Sequence, residues 1–167
     1  MKNLFIDMDG TLCEWRSNLK SIEELYEEYY FSSLRKNTNL VNAIINIYEK
    51  YPDNIFVLSC YLKDSKYAKN EKNIWLDENL NIPNKNRIFI PVGENKGFIG
   101  NKGDLLLDDY SQNLLDWEEN KKVGIKFIND INGSGIKWKG ERIKFSASSE
   151  VIETFLLSKL REESPLM

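Results

Sequence analysis

The stretch Phe5-Ile6-Asp7-Met8-Asp9-Gly10-Thr11-Leu12 constrains this chain more than any other. The residues leading into it, Leu4-Phe5-Ile6, are apolar without alternation, the pattern of a strand buried on both faces. Asp7 then falls at the strand's carboxyl end, where open α/β sheets bind ligands. A second acid follows at Asp9. Two carboxylates so close together repel, and a divalent cation is the simplest compensation. Gly10 lets the chain turn sharply and brings backbone N–H groups near an anion.

Composition narrows the chemistry. The chain has no histidine, which excludes Ser-His-Asp and Cys-His catalysis and histidine zinc sites. Acid–base work must fall to carboxylates, Lys, Tyr or Cys. A net charge of −3 argues against a nucleic-acid polymer as partner. Cys13 and Cys60 are too few for a disulfide framework or an all-cysteine zinc site. They read as reduced thiols of a cytoplasmic protein. Both closely follow strands and so lie near the pocket, most simply as small buried apolar residues. No signal peptide and no membrane-length apolar run is expected. At 167 residues the chain suits one domain with a small insertion.

Further apolar runs predict more strands: Ile55 to Leu58, Ile88 to Ile90, Leu105 to Leu107 and Val123 to Ile128. Helical spacing is read over Leu40 to Tyr48 with Asn39 as cap, over Asp64 to Leu80, and after Ser111. A last helix starts at Ser148 or Ser149. Ile136-Lys137-Trp138 and Ile143-Lys144-Phe145 are expected to pair as a hairpin around Lys139-Gly140, and the tail from Glu162 to fray. Glu14 to Asn39 is polar and aromatic, and Ser21 with Glu24 resembles a capping box. This segment is expected to form a short helical lid over the site. The expected architecture is a three-layer, Rossmann-like parallel sheet, with a core of residues 1–13 and 40–167 and a helical cap of 14–39 inserted after strand one.

Three strands thus end in polar residues on one edge: Asp7, Ser59 and Asp108-Asp109. Together they point to phosphoryl transfer. Asp7 can attack phosphorus and form an aspartyl phosphate. Asp9 can protonate the departing oxygen and then take a proton from water. An acid of this kind must be held protonated, so activity is expected to fall toward alkaline pH. Gly10, Thr11, Ser59 and Cys60 are candidates to bind the phosphate. A lysine must also hold it, and Lys96, just past the third strand, is better placed than Lys102, which precedes the fourth and belongs on the opposite edge. Mg2+ would be held by Asp7, Asp9, Asp108 and Asp109. Successive strand residues point to opposite sides, so one of the last two ligates directly. Asp109 is favoured, with Asp108 in support. Trp15, Tyr29 and Tyr30 could stack on a base, although such aromatics more often form cap core.

The same motifs, Asp7-Met8-Asp9-Gly10-Thr11-Leu12, Ser59, Lys96 and Asp108-Asp109, resemble those of haloacid dehalogenase superfamily phosphatases. Leu107-Asp108-Asp109-Tyr110-Ser111-Gln112-Asn113-Leu114, Trp117-Glu118, Gly124-Ile125-Lys126-Phe127 and Ile131-Asn132-Gly133 are similar to the cytosolic type C 5′(3′)-deoxyribonucleotidase family. That resemblance implies a Mg2+-dependent enzyme releasing phosphate from nucleoside monophosphates. Asp7 would be its nucleophile, Asp9 its acid/base and backbone metal ligand, and Asp109 a metal ligand. It leaves room for a homodimer. A phosphatase of sugar phosphates or other small metabolites, and a non-catalytic phospho-acceptor or Mg2+-binding module, are the alternatives.

Overall fold

Each apolar run becomes a strand. The computed structural model describes residues 1–131 and 138–161. In chain order the strands are β1 (Leu4–Ile6), β2 (Ile55–Tyr61), β3 (Arg87–Pro91), β4 (Leu105–Asp108), β5 (Val123–Ile128) and β6 (Glu141–Lys144). The helices are α1 (Thr38–Lys50), α2 (Ala68–Asn79), α3 (Ser111–Glu119) and α4 (Ser149–Arg161). The strands form one six-stranded sheet in the order β3-β2-β1-β4-β5-β6, and every pairing is parallel.

The two faces of the sheet sort the side chains by parity. Leu4, Ile6, Val57, Leu105 and Leu107 enter one core, shared with Leu40, Ile44 and Ile47 of α1 and Ile152, Leu156 and Leu160 of α4. Phe5, Leu58 and Leu106 enter the other, against Leu114 and Trp117 of α3 and against Trp138. Phe5 stacks on Phe56 and meets Trp117 edge-on. Strands covered on both faces must be apolar throughout, which is why β1 and β4 read as unbroken runs.

The sheet order reverses between β1 and β4. The chain moves outward one way through β2 and β3, then returns to the other side of β1. Such a switch point leaves a crevice beyond the strand ends. Register fixes what lies there: Ile6 pairs with Leu107, and the Asp7 N–H donates to Leu107 O at 2.9 Å. Asp7 and Asp108 therefore lie side by side.

Two local expectations are corrected. The hairpin does not form as expected: Glu141–Lys144 pairs in parallel with β5, and Trp138 lies outside any strand, packed against Gly124 and Gly140. Ile136 and Lys137 fall outside the described residues, as does the tail beyond Arg161. The inserted segment holds one 3₁₀ turn, Ile22–Tyr26, in place of an α-helical lid. The Ser21 side chain makes no capping bond. Glu24 receives the Lys20 N–H instead. The stripe Ile22, Tyr26 and Tyr29 is exposed, so no apolar face pins a helix there. The buried residues of the segment are Tyr30, Phe31, Leu34 and Asn37. The boundaries of α1 and α2 also move. Asn39 lies inside α1 and donates to Ala147 O, while Ser65 accepts the N–H groups of Tyr67 and Ala68 and so starts α2 later than its periodicity indicated. Among the described residues no helix is long and apolar enough to cross a membrane.

Candidate active site

Asp7, Asp108 and Asp109 each place a carboxylate oxygen within 4.8 Å of the others. All three residues are buried. Burial of like charges penalises the ionised form, and the carboxyl groups respond. Burial, then the neighbouring Asp108 and Asp9, push Asp7 up to about 7, although Lys96 opposes them. Burial, Asp108 and Asp7 push Asp109 up to about 8.

Lys96 supplies the local cation. It begins a 3₁₀ turn, Lys96–Phe98, just beyond β3, where the stretch before β4 is too short for a full helix. Asn95 starts the turn by accepting the Gly97 N–H at 2.6 Å. The Lys96 side chain is buried and donates to Asp7 Oδ1 at 2.6 Å and to Asp108 Oδ2 at 2.8 Å. Burial alone would lower its pKa, but Asp108 and Asp7 outweigh it and hold the ammonium well above the usual range. Lys102 is exposed on the opposite edge. Lys122, unassigned from sequence, steadies the loop by donating to Gly97 O at 2.7 Å and to Ile99 O, with its ammonium over the Trp117 ring.

Asp108 Oδ2 accepts from Lys96 and from Asn113 at 2.9 Å, and Oδ1 accepts the Tyr110 N–H at 2.8 Å. Asp109 Oδ2 accepts from Asn129 at 3.0 Å. Its carboxylate lies against Gly10, where a Cβ would sit 2.1 Å from Oδ2. Gly10 is needed there on two counts, this contact and a φ of +80°. An all-oxygen, crowded donor set of acids suits a hard divalent cation.

Gly10 and Thr11 serve the site differently from expectation. The Gly10 N–H is taken by Cys13 O at 2.8 Å and so is not left for an anion, while its carbonyl accepts from Asn129. Thr11 is fully buried; its N–H donates to Met8 O, and its Oγ1 accepts the Asp109 N–H at 3.1 Å. It braces the Asp109 turn.

The Asp9 side chain is not part of the three-acid cluster. Its Oδ2 accepts from Lys72, and Cys13 Sγ lies 3.8 Å from Oδ1. Any metal contact from Asp9 falls to its main chain. Ser59 is fully buried and accepts from the same Lys72 at 3.1 Å, which links Ser59 to Asp9. Cys60 is half-buried at the end of β2; burial pushes its thiol up, and it feels the charges of Lys96, Asp7 and Asp108. Cys13 is buried, which raises its thiol well above the ordinary value.

The aromatics separate. The Trp15 Nε1 lies 2.6 Å from where a Gly10 Cβ would be, so Trp15 stands at the site. A cavity of about 220 Å3 opens there, lined by Gly10, Trp15, Asn37, Asn129, Ile131 and Phe145 among others. Tyr30 is 1% exposed, edge-on to Phe31 with Arg16 over its ring, so its face cannot stack on a base. Tyr29 is 66% exposed.

Sequence reasoning missed Lys72, Asn113, Lys126 and Asn129. Lys72 left a signal: it falls four residues after Ala68 and three before Trp75, on the apolar stripe of α2. Lys126 left one too, as a charge inside a buried strand; it donates to Asp109 O and to Ser111 Oγ. Asn113 stands within the Leu107-to-Leu114 likeness without a role there, and Asn129 left no signal.

No family model matches this chain, and no curated protein matches it in sequence. Among solved structures it is similar to D,D-heptose 1,7-bisphosphate phosphatase from B. bronchiseptica, complexed with magnesium and phosphate. The TM-score is 0.65 at 10% identity, covering 95% of this chain and 99% of the other. A Leishmania major protein assigned as a MAR1 ribonuclease matches with a TM-score of 0.48 at 12% identity, over 99% of this chain and 94% of that one, too low to bear on fold or function. The fold is thus a Rossmann-type parallel α/β sheet, shared with the heptose bisphosphate phosphatase, with three buried aspartates at its switch point.

Proposed function

We propose that the chain is a Mg2+-dependent phosphomonoesterase working through an aspartyl phosphate on Asp7. One observation carries this reading: Asp7, Asp108 and Asp109 converge at the switch point, with the Lys96 ammonium on two of them. The resemblance in motifs and the heptose bisphosphate phosphatase with the same fold support it. Asp7, Asp109 and the main chain of Asp9 would hold Mg2+, with Asp108 supporting. When bound, the ion keeps the crowded acids ionised and offsets phosphoryl charge.

The chain's own groups then divide the work. An Asp7 oxygen bonds to phosphorus as the ester P–O bond breaks, and the leaving oxygen takes a proton from Asp9. Water next bonds to phosphorus, Asp9 takes its proton, the Asp7–phosphorus link breaks, and inorganic phosphate departs. Lys96 holds the Asp7 carboxyl in one orientation and balances charge on the phosphoryl oxygens. Ser59 donates to one of those oxygens. The inserted segment, 14–39, acts as the cap.

The substrate we favour is a nucleoside monophosphate, cleaved in the manner of a 5′(3′)-deoxyribonucleotidase. The likeness around Asp108 to Trp117 supports it, as does Trp15 beside the Gly10 cavity. A sugar phosphate is the second reading, favoured by the substrate of the heptose enzyme. A panel of dUMP, dTMP and sugar phosphates with Mg2+ separates them. Turnover confined to sugar phosphates would remove the nucleotide reading. Asp7→Asn should lower hydrolysis of an aryl phosphate by about 1000-fold or more. Activity near wild type would remove the nucleophile assignment.

A further inference from the structure

Glu71 and Lys72 are consecutive residues of α2, and both side chains are buried. A charge at that depth must have its polar atoms matched. Glu71 accepts three main-chain N–H groups from the inserted segment: Tyr29 at 2.5 Å, Phe31 at 2.9 Å and Ser32 at 3.3 Å. This grip seats the Phe31 ring over the Lys72 ammonium, 4.7 Å from Nζ to the ring centroid. Beneath that ring Lys72 donates to Asp9 Oδ2 and to Ser59 Oγ. Lys72 is wholly screened from solvent, so water does not compete for either bond. One helical turn therefore holds the insertion with one residue and Asp9 with the next.

Building on the phosphatase reading, we infer that Lys72 is a positioning residue for the water step. It fixes Asp9 and Ser59 against the phosphorylated Asp7, and Glu71 keeps the insertion closed over it. In that step the water oxygen bonds to phosphorus, its proton passes to Asp9, and the Asp7 oxygen leaves phosphorus as a carboxylate. A good leaving group departs without a proton from the enzyme, whereas water attacks poorly without an aligned base. Loss of Lys72 should therefore slow dephosphorylation more than phosphorylation.

The test uses the full chain, Mg2+ and dinitrophenyl phosphate, whose leaving group needs no proton. Lys72→Met should release a burst of dinitrophenol close to one equivalent per chain, followed by a steady rate about 10- to 100-fold below wild type. Acid-quenched samples should then contain accumulated phosphoenzyme. A burst and a steady rate that fall together, with no phosphoenzyme, would mean that Lys72 merely supports the fold and would overturn the inference. A steady rate within about twofold of wild type would overturn it too. Should Lys72→Met fail to fold, Glu71→Gln decides. It keeps Lys72 but loosens the insertion, and should also accumulate phosphoenzyme; none accumulating refutes the role. Wild-type turnover separates the two levels. If the wild type hydrolyses no phosphomonoester, the phosphatase reading itself falls and this inference falls with it. If the wild type is active and Lys72→Met matches it, only the role of Lys72 falls.

Discussion

Lys96 joins two buried carboxylates that would otherwise face each other without a cation. Removing one partner from such a group leaves uncompensated charge in the interior. Lys96→Met should therefore destabilise the metal-free protein by about 3 kcal/mol at neutral pH, read from urea unfolding. An unchanged midpoint would show that the acids simply protonate at no cost. Gly10 makes a second residue-scale prediction. A methyl group there would meet Asp109 Oδ2 at 2.1 Å and Trp15 Nε1 at 2.6 Å. Gly10→Ala should push the Asp109 carboxylate aside and weaken Mg2+ binding by about tenfold or more, measured by titration of the intact protein. Retained affinity would mean that Asp109 is not a ligand.

At the scale of elements, the inserted segment is held mainly by α2. Beyond Glu71 it is anchored by the Trp75 indole, which donates to Leu34 O at 2.7 Å. Tyr30 sits inside this packing with a buried hydroxyl that has no hydrogen-bond partner among the described residues. Leaving that group out should cost nothing. Tyr30→Phe is expected to keep the thermal midpoint or to raise stability by up to about 1 kcal/mol. A clear loss of stability would show that the hydroxyl is satisfied in solution. The same elements show what the sequence could reveal. Doubly covered strands advertise themselves as apolar runs, so β1, β2 and β4 were legible with the acids and the serine at their ends, and β3 and β5 were legible as strands. A strand was legible at Ile143, but not its parallel pairing with β5, because β6 is an edge strand with one buried residue. The insertion was misread because Ile22, Tyr26 and Tyr29 carry helical spacing but stay exposed, while Leu25 packs against the core. Lys72 is hard to read from sequence because it lies inside a helix and its partner Asp9 is 63 positions away.

At the scale of the molecule, the acid cluster couples stability to pH and to metal. Asp7 and Asp109 ionise near 7 and 8 in the fold, against 3.8 ordinarily. Below about pH 4 both states carry the protons and nothing is lost or gained. As pH rises, the unfolded chain gives up these protons first, so the metal-free fold loses stability steadily until about pH 8. Lys96 stays charged throughout that window and does not alter the trend. Mg2+ competes with the same protons. Its stabilising effect should therefore be small near about pH 5.5 and larger near about pH 8.5, read as the shift in thermal midpoint on adding the metal. An equal or larger shift at the acid end would contradict a site built from these carboxylates.

The central claim is that Asp7 accepts the phosphoryl group. The most direct measurement mixes the protein with an aryl phosphate and Mg2+, quenches in acid within the first turnovers, and maps the peptides by mass spectrometry. A phosphoryl group on Asp7, absent from the Asp7→Asn protein, is the predicted result. Sustained hydrolysis with Asp7 unmodified at every quench time would contradict it.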